Sequence, residues 1–374
     1  MREGWEYKRL GECTQILDSQ RKPVTKKDRK EGIYPYYGAT GIQDYVDKYI
    51  FDGRYVLVGE DGAKWGAFDK SAFIIDGKTW VNNHAHVLKP FEPLVDSYLT
   101  YYLNYSDLNG FISGAIVRKL TQSSLKNIKI PLPPKSTQLA IVSELDKINE
   151  LIRLKKEQLK DFDNLAQSLF YEMFGDPVEN EKGWEVKKLN EIVSDNCSIS
   201  YGIVQPGDGV ENGVPVVRPV DMTKTFVSRK GLKNTTKEIS DSYKRTILKG
   251  NEILMCVRGT TGLISMATPE LQGCNVTRGI APIECGPTCD KWFVFYQILN
   301  PAIQHHIAEY TRGIALKQIN MKDVRDIPLC LPPLPLQHLF AQRIEQIEHQ
   351  KSEVQKAITD LETLLASRMQ YWFE

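Results

Sequence analysis

The sequence predicts an α+β protein that is built twice, as two related globular halves that each end in a long helix. Residues 4–12 (GWEYKRLGE) return as residues 183–191 (GWEVKKLNE), and the Leu-Pro-Pro motif at 132–134 returns at 331–333. The landmarks keep the same order in both copies, which indicates an internal repeat. A heptad pattern then follows each Leu-Pro-Pro motif. These observations predict two halves of one common design.

A long helix is predicted after each Leu-Pro-Pro motif, over residues 135–176 and 334–374. Apolar residues recur in steps of three and four over about four heptads, which is typical of a coiled-coil seam. Each helix alone could also be a core helix of a bundle, but two matching helices favour an intramolecular antiparallel pair. The predicted seam consists of Leu145, Ile148, Ile152, Leu159, Phe162, Leu169, Ile344, Ile347, Val354, Ile358, Leu361 and Leu365.

The segments between these landmarks predict mixed α/β domains. Short β-branched and aromatic runs, such as 55–58 (YVLV), 72–75 (AFII) and 253–257 (ILMCV), are separated by glycine-rich turns. Such runs read as strands, and helical stretches follow near 94–109 and 290–311. The fold class is therefore α+β, with two pseudo-twofold-related α/β domains separated by two long antiparallel coiled-coil helices.

The composition excludes wholesale disorder, and no apolar run is long enough to predict a membrane-spanning helix. The 374 residues are 41% hydrophobic and 25% charged, as in ordinary globular proteins, and the net charge is +1. Apolar runs fall far short of the roughly 20 residues that cross a bilayer. Residues 1–5 (MREGW) lack the apolar stretch of a secretory signal, and the seven cysteines contain no C-x-x-C pair. Reduced thiols and a cytoplasmic location are expected.

No catalytic or metal-binding motif is evident in the sequence. It lacks the G-x-x-x-x-G-K-[ST] phosphate loop, the G-x-S-x-G nucleophile elbow and the H-E-x-x-H metal helix. His84 and His86 could turn two imidazoles to one side of a strand, but no third ligand has suitable spacing, so structural histidines are favoured over a metal site. We therefore predict no catalytic residue and no bound metal.

Two basic clusters, one in each half, are typical of sequence-independent contact with DNA phosphates. The first falls within residues 21–30 and precedes several tyrosines, and the second spans residues 224–249. A merely solvated loop is the alternative for either cluster alone, but a cluster in both halves favours DNA. The predicted contacts are Arg21, Lys22, Lys26, Lys27, Tyr36, Tyr37, Arg229, Lys230, Lys233, Lys244 and Arg245.

Sequence-specific reading would need polar side chains on loops that reach base edges in a DNA groove. Glycine-rich turns in both halves carry such residues. The candidates in the first half are Lys64, Trp65, Asn82, Asn83, His84 and Arg118. The candidates in the second half are Arg218, Arg258, Thr260, Thr261, Asn275, Arg278 and Arg312.

This layout resembles the specificity (S) subunit of Type I restriction-modification systems, and the resemblance covers nearly the whole chain. It depends on the order of doubled motifs and on the two long helices. The similar segments are the G-W-E-x-K-[KR]-L motifs at 4–10 and 183–189, the L-P-P-x-x-x-Q motifs at 132–138 and 331–337, and the runs 34–42 (YPYYGATGI) and 58–63 (VGEDGA).

The resemblance implies two target recognition domains, residues 1–134 and 177–333, with spacer helices at 135–176 and 334–374. Each domain would read one half of a bipartite, asymmetric site in double-stranded DNA. The helices would set the gap between the half-sites and dock two methyltransferase (M) subunits. The M subunits would hold S-adenosylmethionine and methylate adenine, and restriction (R) subunits would use ATP and Mg in the full complex. The chain itself would bind no cofactor.

Two functions of other classes are compatible with parts of the sequence. A self-contained DNA methyltransferase or nuclease would bind a cofactor or cleave DNA alone, and the missing motifs disfavour it. A structural coiled-coil scaffold would show no salt-dependent DNA binding, and it would leave both basic clusters without a purpose.

Overall fold

The computed structural model describes residues 5–313 and 316–374, so Gly4 of the first repeated segment lies outside the described residues. The chain divides into two compact units. The first consists of Met1–Glu157 with Gln355–Glu374, and the second consists of Gln158–Val354. Each unit holds one mixed α/β domain and one segment of each long helix. The predicted fold class is confirmed.

The domain of the first unit contains two four-stranded sheets, ordered β2-β9-β6-β7 and β4-β3-β8-β5. Short 3-10 helices lie at Asp18–Gln20 and Asn109–Phe111. The elements are β1 (Glu6–Arg9), α1 (Leu10–Cys13), β2 (Thr14–Ile16), β3 (Glu31–Gly38), β4 (Gly41–Val46), β5 (Phe51–Asp52), β6 (Tyr55–Gly59), β7 (Ala72–Ile75), β8 (Lys78–Val81), β9 (Ala85–Pro90), α2 (Asp96–Tyr105), β10 (Ile112–Ser113), β11 (Lys119–Leu120), α3 (Gln122–Lys126), β12 (Lys129–Leu132) and α4 (Lys135–Phe174).

Strand β6 separates two apolar cores in this domain. Val56 and Val58 pack in one core and Leu57 packs in the other, because successive side chains of a strand point to opposite faces. The first core also holds the start of α4, at Ile141 and Leu145. The sheet that contains β6 is therefore covered on both faces.

The domain of the second unit repeats the centre of this topology in two three-stranded sheets, ordered β15-β14-β18 and β17-β16-β19. Its 3-10 helices are Leu189–Glu191, Pro219–Asp221, Lys244–Thr246 and Pro269–Leu271. The elements are β13 (Glu185–Lys188), β14 (Val214–Val217), β15 (Lys233–Thr235), α5 (Lys237–Asp241), β16 (Ile253–Cys256), β17 (Ile264–Met266), β18 (Asn275–Val276), β19 (Ile280–Ile283), α6 (Lys291–Leu299), α7 (Pro301–Glu309), α8 (Met321–Arg325), β20 (Pro328–Leu331) and α9 (Leu334–Phe373).

The repeated sequence landmarks are neighbouring strands in each domain. Strand β1 pairs antiparallel with β12, with Glu6 opposite Leu132, and β13 pairs with β20, with Glu185 opposite Leu331. The G-W-E segment and the Leu-Pro-Pro segment therefore form one two-stranded ribbon that leads into a long helix. This pairing explains why the two motifs recur together.

The two long helices run antiparallel within each unit. In the first unit, the guanidinium of Arg368 on α9 pairs with Glu144 on α4, and Lys156 lies 2.8 Å from Glu362. In the second unit, the ring centroids of Phe170 and Phe340 are 5.7 Å apart. Each helix has 40 residues, which at 1.5 Å per residue gives about 60 Å. No helix in the described part of the chain is long and apolar enough to cross a membrane.

The predicted seam lies on the covered side of both helices, with one local shift. Near the end of α4 the buried side chains are Ala166, Phe170 and Phe174, whereas Leu169 is half-buried. An α-helix of 3.6 residues per turn drifts away from a strict heptad repeat, which moves the covered face by one residue here. The seam positions that are buried are Leu145, Ile148, Ile152, Ile344, Ile347, Val354 and Ile358, and those that are half-buried are Leu159, Phe162, Leu169, Leu361 and Leu365.

Candidate nucleic-acid interface

Three loops of the first unit meet at one end of its sheets. The backbone N–H of Asn82 donates to the Tyr37 carbonyl at 3.0 Å, and that of Glu60 donates to the His84 carbonyl at 2.8 Å. The N–H of Leu120 donates in turn to the carbonyl of Glu60 at 2.8 Å. We call residues 60–66, 82–84 and 114–118 the first loop edge.

The first loop edge presents several predicted contact residues to solvent. Lys64, Asn83, His84 and Arg118 are all exposed. The His84 Nδ1 atom lies 2.5 Å from an Asp61 carboxylate oxygen, and Arg118 donates to the Asn109 side-chain oxygen at 2.6 Å. Hydrogen-bond donors and acceptors therefore stand side by side on this edge, which is the chemistry that base edges require.

Two other predicted contacts of this region are buried and shape the loops instead. Trp65 is 4% exposed, and its indole N–H donates to the Gly59 carbonyl at 3.0 Å. Asn82 is 2% exposed, and its side-chain oxygen accepts the backbone N–H of His84 at 2.8 Å. Both side chains are buried and make hydrogen bonds within the domain, so we assign both a structural role.

The first basic cluster divides into exposed lysines and residues held within the domain. Lys22, Lys26 and Lys27 are exposed, and the Lys22 backbone N–H donates to the Val81 carbonyl beside the first loop edge. Tyr36, in contrast, is 1% exposed, and its hydroxyl accepts the N–H of Val24 at 3.0 Å. The three lysines are therefore accessible to a phosphate, whereas the buried Tyr36 side chain is not.

Tyr37 is half-buried beneath the same region. Its ring packs against Phe73 with centroids 5.9 Å apart, and burial raises the pKa of its hydroxyl. The side chain was predicted to contact DNA, but the structure uses it in packing.

Arg21 belongs to a group of ionisable residues that we call the charge cluster: Asp18, Arg21, Glu60, His86 and Lys119. All of them except Lys119 are largely buried. Arg21 Nη1 lies 2.5 Å from Glu60 Oε2, and Lys119 Nζ lies 2.7 Å from Glu60 Oε1. His86 Nδ1 lies 2.6 Å from Asp18 Oδ2. Arg21 therefore pairs inside the domain, which corrects its predicted role as an exposed phosphate contact.

The electrostatics of the charge cluster keep its acidic members ionised. Burial raises the pKa of Asp18, but its hydrogen bonds with His86 and the Val87 backbone, together with the nearby His86 and Arg21 side chains, outweigh burial, so the net pKa is lowered. Burial likewise raises the pKa of Glu60, and bonds to Lys119 and Arg21 bring it below the usual value. One ligand atom each of Asp18, Glu60 and His86 lies within 4.8 Å of the others, but the two basic partners occupy the Glu60 carboxylate that a metal would need.

The second unit builds an equivalent edge with the same backbone hydrogen bonds. The N–H of Thr277 donates to the Val217 carbonyl at 2.9 Å, that of Val257 to Gly279 at 2.8 Å, and that of Ile319 to Val257 at 3.0 Å. These bonds match those of Asn82, Glu60 and Leu120 one for one. We call residues 258–262, 277–279, 312–313 and 316–318 the second loop edge.

Arginine and threonine side chains occupy the second loop edge. Thr260, Arg278 and Arg312 are exposed, and Arg258 is half-buried, with a buried Nε that has no hydrogen-bond partner among the described residues. The Thr261 hydroxyl is bonded to that of Thr311 at 3.0 Å. The structure thus brings most of the predicted base contacts of the second half to one edge.

Arg218 and Asn275 have partners inside the second unit. Arg218 Nη2 donates to the Asp221 carboxylate at 2.8 Å. Asn275 is fully buried, and its amide donates to the Ser240 hydroxyl at 3.0 Å while its oxygen accepts the Thr246 hydroxyl at 2.7 Å. Because nothing of the Asn275 side chain reaches the surface, its predicted base contact is replaced by a structural role.

The second basic cluster stays largely available to solvent. Arg229 donates to the Glu270 carbonyl at 2.8 Å and is otherwise exposed. The remaining predicted members are exposed: Lys230, Lys233, Lys244 and Arg245. A lysine-rich surface of this kind suits contact with phosphates.

Asp61 is a candidate contact that the sequence did not reveal. The backbone of Asp61 forms an isolated antiparallel β-bridge with Lys119 in the first unit, and that of Arg258 forms one with Gln318 in the second. Asp61 and Arg258 therefore occupy matched positions. Asp61 lies in a glycine-rich turn between Gly59 and Gly62, where turn chemistry alone is a sufficient explanation for an acidic residue. The signal that would have found it is the alignment of the two copies across these bridges.

Comparison with known proteins gives one consistent result. A sequence family described as the Type I restriction modification DNA specificity domain matches residues 2–161 and 181–363. A putative type I restriction enzyme specificity subunit of Haemophilus influenzae is 41% identical over 146 residues, which are 39% of this chain and 38% of that protein. The type I restriction enzyme EcoBI specificity subunit of Escherichia coli is 24% identical over 279 residues, which are 68% of this chain and 59% of that protein. The matches thus span less than two thirds of either relative.

A solved structure shows the same fold along the whole chain. The crystal structure of the Type I restriction-modification system S subunit from M. genitalium aligns with a TM-score of 0.58 at 15% identity. The alignment covers 100% of this chain and 98% of that one. At this identity the likeness concerns the fold.

Proposed function

Because this chain belongs to the Type I restriction-modification DNA specificity family, we propose that it recognises DNA for a modification and restriction complex without catalysing the reaction itself. Each unit reads one half of a bipartite, asymmetric site in double-stranded DNA through its loop edge. The long helices set the number of unread base pairs between the half-sites. Both basic clusters supply phosphate contacts that hold the chain on the duplex.

The observation that carries this proposal is the pair of matched loop edges. The same backbone hydrogen bonds hold both edges, but the side chains at matched positions differ, with Asp61 against Arg258 and Asn83 against Arg278. Arginine most often reads guanine through O6 and N7, whereas a carboxylate accepts from cytosine N4 and asparagine pairs with adenine. Two edges of one design and different chemistry are suited to two different half-sites.

We also propose that the exposed faces of the long helices dock two methyltransferase subunits. Leu139, Leu151, Leu165 and Leu364 are each between 46% and 51% exposed on these helices, outside the predicted seam. In this proposal these leucines bury their exposed apolar surface against the M subunits. In this assignment the M subunits hold S-adenosylmethionine, the R subunits use ATP and Mg, and this chain binds no cofactor or metal.

The test is co-expression with a candidate M subunit, followed by single-molecule sequencing of modified bases in the host DNA. We expect methylated adenines in one bipartite motif whose two halves differ. Expression of the M subunit alone is the control and should leave that motif unmethylated. A stable complex of both proteins that adds no sequence-specific methylation would contradict the proposed function.

Removing exposed lysines of the first basic cluster should weaken binding to all duplexes alike. For the double variant Lys26→Ala/Lys27→Ala we expect the slope of log K against log salt to fall by up to about 2, because each lost phosphate contact removes about 0.9. Titration of the complex with specific and unrelated duplexes at several salt concentrations measures this. Lys135→Ala is the matched control, since Lys135 lies outside both basic clusters and pairs with Glu92 at 2.8 Å. An unchanged slope would show that these lysines do not face DNA.

A further inference from the structure

The charge cluster lies immediately beneath the first loop edge and ties together the segments that form it. Glu60 precedes Asp61, His86 follows His84 by two residues, and Lys119 is adjacent to Arg118. Arg21 reaches the edge directly, because its Nη1 donates to the carbonyl of Ala85 at 2.7 Å and contacts that of Asn83 at 3.4 Å. Each loop of this edge is thus fastened to a member of the cluster.

Stability alone does not account for so many buried ionisable groups. The side chain of His86 is 1% exposed, that of Asp18 6%, that of Glu60 10% and that of Arg21 12%. Moving charges out of water is costly, and apolar residues of similar volume in their place often leave stability unchanged or improve it. We therefore explain the cluster by the loops of the first loop edge, which it holds in place.

The second unit shows that the sheet forms without the cluster. Val58 pairs with His86 in the first unit and Met255 pairs with Ala281 in the second, so Ala281 replaces His86. Val257 occupies the position of Glu60, as the matched backbone hydrogen bonds show. Gln318 occupies the position of Lys119, as the matched β-bridges show. The same fold therefore accepts uncharged residues at three of the five positions.

Hydrogen-bond reading of bases depends on side chains that are held within about 0.5 Å of the productive geometry by the residues behind them. Asp61, His84 and Arg118 have short backbone connections to the cluster, and their loops contact one another through it. We propose that Glu60, His86 and Lys119, together with Asp18 and Arg21, are positioning residues that set the base specificity of the half-site read by the first unit. This inference rests on the proposed function.

The test compares three variants of the full chain in complex with its M subunit. Glu60→Val/His86→Ala/Lys119→Gln installs the residues of the second unit and leaves Asp18 to pair with Arg21. Glu60→Gln keeps the shape of that side chain and removes its charge. Lys119→Arg keeps a cation facing Glu60 and serves as the conservative control. Methylation is measured on a duplex library that carries every single-base change in both half-sites, and Arg258→Ala identifies the half-site that belongs to the second unit.

For the triple variant we expect discrimination between correct and altered bases to fall at least tenfold in the first unit's half-site and to stay unchanged in the other. The melting temperature and the affinity for unrelated DNA should remain at the wild-type level, and Glu60→Gln should show the same selective loss if the triple variant folds poorly. Lys119→Arg should retain full discrimination. Unchanged discrimination in both half-sites, or an equal loss in both, would overturn the inference. A wild-type complex that methylates no bipartite motif would instead overturn the proposed function.

Discussion

Replacing Gln138 or Gln337 by leucine is expected to destabilise the unit that contains it by about 3 kcal/mol, because each side chain holds a buried loop through its amide. Gln138 is fully buried, and its Oε1 accepts the backbone N–H of Val95 at 2.8 Å. Its Nε2 donates to the carbonyl of Pro133 at 2.9 Å. Leucine fills similar space but offers neither group.

The same arrangement recurs in the second unit. Gln337 is fully buried, its Oε1 accepts the N–H of Asp290 at 2.9 Å, and its Nε2 donates to the carbonyl of Pro332 at 2.7 Å. In both units the amide joins the Pro-Pro turn before a long helix to the residues that begin a domain helix, α2 or α6. A buried N–H left without an acceptor costs about 1 to 3 kcal/mol, and the lost bonds add to that.

Thermal unfolding of the purified chain, followed by circular dichroism, measures this effect. For a unit of this size we expect the melting transition to fall by roughly 6 to 12 °C. Gln355→Leu and Gln342→Leu are the controls, since both side chains are exposed on α9 and lie in the first and second unit respectively. Equal melting temperatures for buried and exposed glutamine variants would contradict the assigned role of the motif.

These two glutamines illustrate which features of the fold can be predicted from the sequence and which depend on tertiary contacts. The L-P-P-x-x-x-Q motif is visible twice, and the strands at 55–58, 72–75 and 253–257 follow directly from their residue types. The acceptor for Val95, however, comes from a residue 43 positions later, and that for Asp290 from one 47 positions later. Tertiary contacts of that separation leave no local pattern.

The candidate interface was predictable in residue type and location but not in side-chain direction. Lys64, Asn83, His84, Arg258 and Arg278 all lie on the loop edges. Loops have no periodicity that separates inner from outer positions, whereas strands and helices do. For this reason the sequence could not show that Trp65, Asn82 and Asn275, which were predicted to contact bases, are buried within the fold.

Replacing Phe170 by alanine should cost the second unit about 3 to 5 kcal/mol, the range for removing a buried aromatic ring. Phe170 is 2% exposed near the end of α4, where the covered face has shifted by one residue from the predicted seam. Its ring centroid lies 5.1 Å from that of Phe174, 5.9 Å from Phe293 and 5.7 Å from Phe340. The side chain therefore joins both long helices to helix α6.

Leu165→Ala on the same helix is the matched control, because the Leu165 side chain is 51% exposed. Substitutions at exposed positions usually change stability by less than about 0.5 kcal/mol. Alanine is the best helix former, so a loss at Phe170 cannot come from weaker helix propensity and must come from packing. We expect the melting transition to fall by roughly 6 to 20 °C for Phe170→Ala and to stay nearly constant for the control. If the two variants have the same melting temperature, the packing of Phe170 against Phe174, Phe293 and Phe340 does not hold the long helices to the domain of the second unit.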